Sequence, residues 1–286
     1  MLDSTVPVVE YSRYSNRQLA AVPIALLALS LLVIAGMWVA TGTPVDPGID
    51  FTGGTELQIQ TDAPRGEIVA AFETEPVSIQ SIATQEGEYI VTFQSTDTGA
   101  IEQQATEAGF TVTSISSTSA AFGAETQYQA VVGVAIAFVG MSVLVALMFR
   151  TFVPSIAVVL SAFSDIVIPV ALMNLFGIQL SLGTVAALLM LIGYSVDSDL
   201  LLNNHVLRRR GDFYESTHRA MRTGITMTVT SILAMLVMTS VATLFAIPLL
   251  PAIGIVLVFG LLADLMNTYL LNVSLLRWYK YEGVGR

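Results

Sequence analysis

The sequence contains no cysteine, so disulfides and thiolate metal sites are excluded. Histidine is scarce as well: His205 and His218 are the only two, too few for a histidine-rich metal cluster, and no cofactor is expected. Lysine occurs once, at Lys280. Charged residues of either sign make up 12% of the 286 positions while 54% are apolar, a balance foreign to soluble domains of this length. What remains is the composition of a polytopic membrane protein. The net charge is −10, and a chain so acidic and poor in lysine points to a high-salt medium, where carboxylates repel one another less because the Debye length falls toward about 3 Å. A single acidic outer domain dominating the sum is the plainer reading of the same charge.

Six apolar stretches reach the ~20 residues that a spanning helix needs: 19–41, 128–149, 153–176, 182–204, 224–247 and 251–275. The first is too long and too apolar for the core of a signal peptide, and no clear cleavage site follows it, so it is read as an anchor. Arg13, Arg17, Arg150, Arg208, Arg209, Arg210, Arg219, Arg222, Arg277, Lys280 and Arg286 all fall on one side of a six-span arrangement, which the positive-inside rule makes cytoplasmic. Only Arg65 falls on the other side. The expected organisation is a cytoplasmic N-terminus (1–18), a first span (19–41), an extracytoplasmic domain (42–126), a bundle of the remaining spans (128–275) and a cytoplasmic tail (276–286), set in the cytoplasmic membrane and in contact with its lipid.

The large loop holds thirteen acidic residues against Arg65 alone, and its pattern changes from long apolar runs to short soluble elements. Strand patterns at Thr55–Gln60, Val77–Ala83, Glu88–Phe93 and Phe110–Ser117 alternate with helical spacing at Arg65–Phe72 and Gly99–Gly109. The order is βαββαβ, so the expected fold is a six-span helical membrane protein carrying a small ferredoxin-like α+β domain. No nucleotide site is implied, because that fold hosts many functions.

Three spans carry an aspartate near mid-depth: Asp165, Asp197 and Asp264. Each costs about 2.5–3.5 kcal/mol at the centre of a bilayer on insertion scales, so each needs a polar environment or a task, and the default task is an ion or proton pathway. A structural carboxylate capped by a neighbouring serine or asparagine is the plainer alternative. Asp197 and Asp199 lie about 200° apart round a helix, so only one of them faces the bundle. Asp197 shares a stripe with Tyr194, Leu201 and Asn204, Asp199 with Asn203. Asp197 is the deeper by about two residues and is the expected relay residue; Asp199 reads as a helix-end carboxylate reaching headgroup water. Arg222 stands just before the fifth span, where a helix starting one turn early lets it reach a carboxylate; otherwise it is a further topology signal, as the run Arg208–Arg210 plainly is.

Two segments, "GIDFTGGTELQI" (Gly48–Ile59) and "GYSVDSDLLLNNHVLRR" (Gly193–Arg209), together with "FSDIVIP" (Phe163–Pro169), resemble the SecF family of protein-export membrane subunits. The likeness covers nearly the whole chain, with Gly48, Asp50, Phe51, Thr52, Gly53, Gly54 and Thr55 matching one signature and Gly193, Tyr194 and Ser195 the other. The resemblance implies a fold of the resistance-nodulation-division class, a SecD-like six-span partner, and work with a SecYEG-type channel on a translocating polypeptide, driven by a proton or sodium gradient without enzymatic activity. It also implies a departure: where bacterial relatives read Gly-Tyr-Ser-hydrophobic-Asn-Asp, Asp197 takes the Asn place, Ser198 the Asp place, and Asp199 is additional. Arg222 and Thr223 resemble the Arg-Thr pair that opens the family's fifth span. Small residues Gly193, Gly254 and Gly260 are expected to admit a partner's helices.

Two other functions compete. A small-molecule or lipid exporter of the same superfamily needs a larger outer portion than the ~85 residues here. A passive assembly factor needs no ion chemistry, and it would tolerate asparagine at position 197.

Overall fold

A computed structural model describes residues 10–81, 87–208, 212–245, 247 and 249–282. Arg209, Arg210 and Arg286, the side chain of Arg208, and the end of the second strand pattern at Ala83 lie outside the described residues. A single turn of 3₁₀ helix (Tyr11–Arg13) precedes the first long helix, α1 (Asn16–Thr41), whose start is fixed by a reciprocal capping box between Ser15 and Gln18. The other long helices are α5 (Ala120–Phe149), α6 (Phe152–Phe176), α7 (Leu182–Arg208) and α8 (Phe213–Leu244). The sixth is continuous from Leu250 to Tyr281 and is built from α9 (Leu250–Met266), a π-helical turn (Asn267–Asn272) and α10 (Val273–Tyr281). All six are long and apolar enough to cross a membrane. Two begin two turns or more before their hydropathic stretch because polar caps hold the extra turns. Ser119 caps α5 at Ala120 rather than 128, and Asp212 caps α8 at Phe213 rather than 224, with Glu215 and Arg219 paired one turn later.

Between α1 and α5 lie a four-residue helix, α2 (Ile49–Thr52), and the elements β1 (Gly54–Gln60), α3 (Arg65–Ala70), β2 (Ser78–Ser81), β3 (Glu88–Phe93), α4 (Thr98–Glu107) and β4 (Thr111–Thr118). The strands form one antiparallel sheet in the order β2-β3-β1-β4, with Leu57 opposite Val91 on one side and Ile115 on the other. Alternation puts Leu57, Ile59, Val91 and Phe93 on one face, where Ile68 of α3 and Ile101 and Ala105 of α4 cover them and close a small core. The bundle is cored by α6, α7 and α9; their most apolar windows are 56%, 50% and 50% buried, against 6% for α5 and 11% for α8.

The sheet domain is fastened to one end of the bundle by the residues around α2. Gly48 N–H donates to Leu180 O and Leu180 N–H to Asp46 O, both at 2.7 Å, so the chain entering α2 runs as a short parallel bridge along the α6–α7 connection. Gln179 Nε2 donates to Asp46 Oδ2 at 3.1 Å, and Asn174 Nδ2 to Pro44 O at 2.9 Å. Gly53 has φ +80°, and a β-carbon there would stand 2.6 Å from the Ala120 nitrogen; one on Gly54, at φ +155°, would stand 2.4 Å from Phe93 O. Only glycine fits either place. At the opposite end, Arg277 is buried and donates to Tyr11 O and Tyr14 O at 2.7 Å and to Asn16 Oδ1 at 2.5 Å, tying the sixth span to the entry of α1. Its partners give this arginine a packing role in addition to its place in the charge pattern.

Candidate functional site

Three carboxylates meet in the middle of the bundle. Asp165 on α6, Asp199 on α7 and Asp264 on α9 are each at most 1% exposed, and they lie close enough to feel one another's charge. Ser195 Oγ donates to Asp165 Oδ2 at 2.6 Å, and Asn267 Nδ2 donates to Asp165 Oδ1 at 2.5 Å. Asp199 Oδ1 accepts from Asn272 Nδ2 at 2.8 Å and from Thr268 Oγ1 at 2.9 Å. The same threonine hydroxyl is 3.3 Å from Asp264 Oδ1, which accepts from Ser198 Oγ at 2.7 Å. Thr268 carries one proton and stands between two carboxylates, so its hydrogen bond can serve either. Ser161 Oγ lies beside Asp165 and Asp199 without a hydrogen bond of good geometry. Asp199 Oδ2, Asp264 Oδ2, Asn267 Oδ1 and Asn272 Oδ1 likewise have no partner among the described residues.

Helix phase explains the meeting. On α7 the buried polar residues Ser195, Asp199 and Asn203 recur every four residues, and buried Leu188 and Leu191 continue the same face toward the sheet end. Asn267 and Asn272 are five residues apart and would diverge by about 140° on an α-helix. The π-helical turn that spans them closes i→i+5, which brings both amides to one side, one onto Asp165 and the other onto Asp199.

The placement of Asp197 is a correction. It faces outward from α7 while Asp199 faces the bundle, the reverse of the expected assignment. The two residues differ by about 3 Å in depth but by about 200° in direction, and direction decides burial. Arg222 is also exposed, well inside α8 rather than at its start, and stands outside the buried cluster. Asp197 and Arg222 are nonetheless near the same height. Tyr194 Oη bonds Thr228 Oγ1 at 3.0 Å, and Leu201 packs near Gly224, so Asp197 stands level with Thr226, one turn from Arg222. Of the three small residues expected to admit a partner, only Gly193 faces open space. Gly254 lies against Thr239 and Gly260 against Leu191, so both serve packing within the chain.

The residues that sequence reading missed are Asn267, Thr268, Asn272, Ser161 and Ser198. A four-residue polar spacing on α7 was available as a signal for the buried face. Nothing in a sequence period of 3.6 marks the π-turn.

Residues 38–64 match the family model described as the SecD/SecF GG motif, and residues 100–282 match that of the C-terminal region of the protein-export membrane proteins SecD and SecF. The chain is 72% identical to the protein-export membrane protein SecF of Haloferax volcanii and 64% identical to that of Haloquadratum walsbyi, in each case over all of both chains. It is 39% identical to the SecF of Methanocaldococcus jannaschii, over 92% of this chain and 95% of that one. Its fold is similar to the crystal structure of SecDF, a translocon-associated membrane protein of Thermus thermophilus, with a TM-score of 0.73 at 20% identity over 96% of this chain; it spans 39% of the length of that longer chain. With both signatures, the six-helix fold and full-length similarity in agreement, the chain belongs to the SecD/SecF family of protein-export membrane proteins.

Proposed function

We propose that this chain is the SecF-type half of a gradient-driven accessory motor for protein export, acting on a translocating polypeptide beside a SecYEG-type channel and having no enzymatic activity. The buried cluster of Asp165, Asp199 and Asp264 carries this reading. An ionised carboxylate in such a place costs several kcal/mol, and three within reach of one another's charge repel. A proton or cation joining the cluster removes that cost, and the single Thr268 hydroxyl between Asp199 and Asp264 offers two hydrogen-bond patterns for the two charge states. We propose the proton as the coupling ion, because the Thr268 hydroxyl gives the protonated and the ionised cluster alternative hydrogen-bond patterns. Each charge crossing 100 mV supplies about 2.3 kcal/mol, enough to bias a two-state packing roughly fiftyfold.

A SecD-like six-span subunit is the proposed partner. Asp197 would cost about 2.5–3.5 kcal/mol facing lipid, so the outward face of α7 that it shares with Gly193, next to Arg222 and the exposed hydroxyls of α8, is best covered by protein or a water-lined cleft. The one-sided arginines support cytoplasmic termini and an acidic sheet domain outside. The test is translocation into vesicles containing the channel, the partner and this chain. A protonophore should remove the stimulation this chain confers. Stimulation that survives collapse of both the proton and sodium gradients would leave the passive assembly factor as the better reading.

A further inference from the structure

We propose that Asp50 is the positioning residue that makes the sheet domain follow α7. Its Oδ2 accepts the N–H of Leu182 at 2.9 Å, so a carboxylate of the domain's entry segment occupies the positive end of α7 and satisfies a first-turn donor the helix cannot satisfy itself. Ser181 caps the same terminus with its own hydroxyl, bonded by Thr184 N–H at 3.1 Å. Asp50 is therefore not needed to start the helix, and its contact is one between two separate parts of the fold.

What lies on either side of that contact is stiff. From Leu182 to Asp199, α7 is an unbroken rod of about 25 Å, so a shift at the carboxylate cluster arrives at Asp50 undiminished. On the other side, Asp50 belongs to α2, which Gly53 and Gly54 press against the start of α5 and against Phe93 of the sheet with no space for a β-carbon. Gly123 on α5 closes the same joint, since a β-carbon there would stand 2.6 Å from Phe51 O. The entry segment is also bonded along the α6–α7 connection through Asp46 and Gly48. Those bonds hold the segment to a loop, whereas Asp50 alone in this segment bonds the first helical residue of α7. The Gly-Ile-Asp-Phe-Thr-Gly-Gly signature thus reads as a joint: the glycines weld α2 to the sheet, and the aspartate grips the helix that carries the charge.

This inference rests on the proposed charge-driven movement, and the experiment separates the two. The absence of native cysteine allows single spin-label pairs on the full chain in complex with its partner. Label pairs at Leu32→Cys with Met190→Cys report α7 against α1, and Leu32→Cys with Glu102→Cys report the sheet domain; all three positions are exposed. Asp199→Asn supplies the charge change. The expected result is that Asp199→Asn shifts both distances, that adding Asp50→Ala keeps the α7 shift while the sheet-domain distribution broadens and its undocked fraction rises about fivefold, the factor matching loss of one cap of ~1 kcal/mol, and that Asp50→Asn, which keeps an acceptor oxygen, restores the shift. If the sheet domain follows α7 equally well in Asp50→Ala, the coupling role is overturned while the charge-driven movement stands. If Asp199→Asn moves neither pair, both fall.

Discussion

Asp197 and Asp199 stand two residues apart on α7 and have different surroundings. Asp199 is fully buried, bonded by Thr268 and Asn272 and within the field of two further carboxylates. Asp197 looks out between α5 and α8 from the face that also bears Gly193. The inward carboxylate takes hydrogen bonds from donors of this chain, whereas the outward one stands exposed beside Gly193. Under the proposed function, one helix offers two acids for two tasks, a charge that changes inside the subunit and a polar contact at its boundary.

Three substitutions sharpen that contrast, in falling order of effect. Fixing another member of the inner cluster as neutral, by Asp264→Asn, should lower gradient-stimulated export by tenfold or more while the complex still assembles; stimulation within a factor of two of the unaltered chain would separate Asp264 from the site. Asn272→Ala removes a donor from Asp199 and leaves a buried carboxylate short of a bond worth about 1–3 kcal/mol. Stimulation should fall about fivefold, with its pH profile displaced, and an unchanged profile would deny the π-turn its role. On the outward face, Gly193→Leu meets nothing within 4 Å. It should not destabilise the isolated chain, leucine being the better helix former by about 0.5–1 kcal/mol, yet weaken association with the partner measured by co-purification.

The smallest effect belongs to the sheet domain, far from both faces. Burial, with the Asp50 carboxylate nearby, pushes the Glu56 carboxyl above its ordinary value. A carboxyl raised in the folded state costs stability as pH rises from its unfolded value through the raised one, so the domain should lose a little thermal stability across that mildly acidic window. Glu56→Gln should flatten the slope, as read by melting of the full chain at several pH values. An equally steep slope would assign it to another acid.

Much of this architecture was legible in the sequence because it rests on strong, repeated signals. Twenty-residue apolar runs mark the spans, two-residue alternation marks β1 and β3, and Gly53-Gly54 marks a turn into a strand, whose tight joint only the fold shows. The interior of the bundle was legible only in part. Asp165 and Asp264 stood out as charges in apolar runs, and both join the site. Depth along α7 favours Asp197 over Asp199, whereas the spacing of Ser195, Asp199 and Asn203 traces the polar inner face and favours Asp199. Asn267 and Asn272 were hidden for a different reason. Their convergence depends on a π-turn whose cause is tertiary, the demand of two buried carboxylates for donors, and no local propensity announces it.

The most direct test compares the two faces in one assay. Vesicles containing the channel, the partner and either the unaltered chain, Asp199→Asn or Asp197→Asn are given the same imposed proton gradient, and the rate of polypeptide uptake is divided by the rate without it. Asp199→Asn should bring the ratio to about one, since the roughly fiftyfold bias one charge can supply is lost. Asp197→Asn, which keeps a polar side chain at the boundary, should retain at least half of the stimulation. A normal ratio for Asp199→Asn together with a ratio near one for Asp197→Asn would contradict the assignment of the coupled charge to the buried cluster.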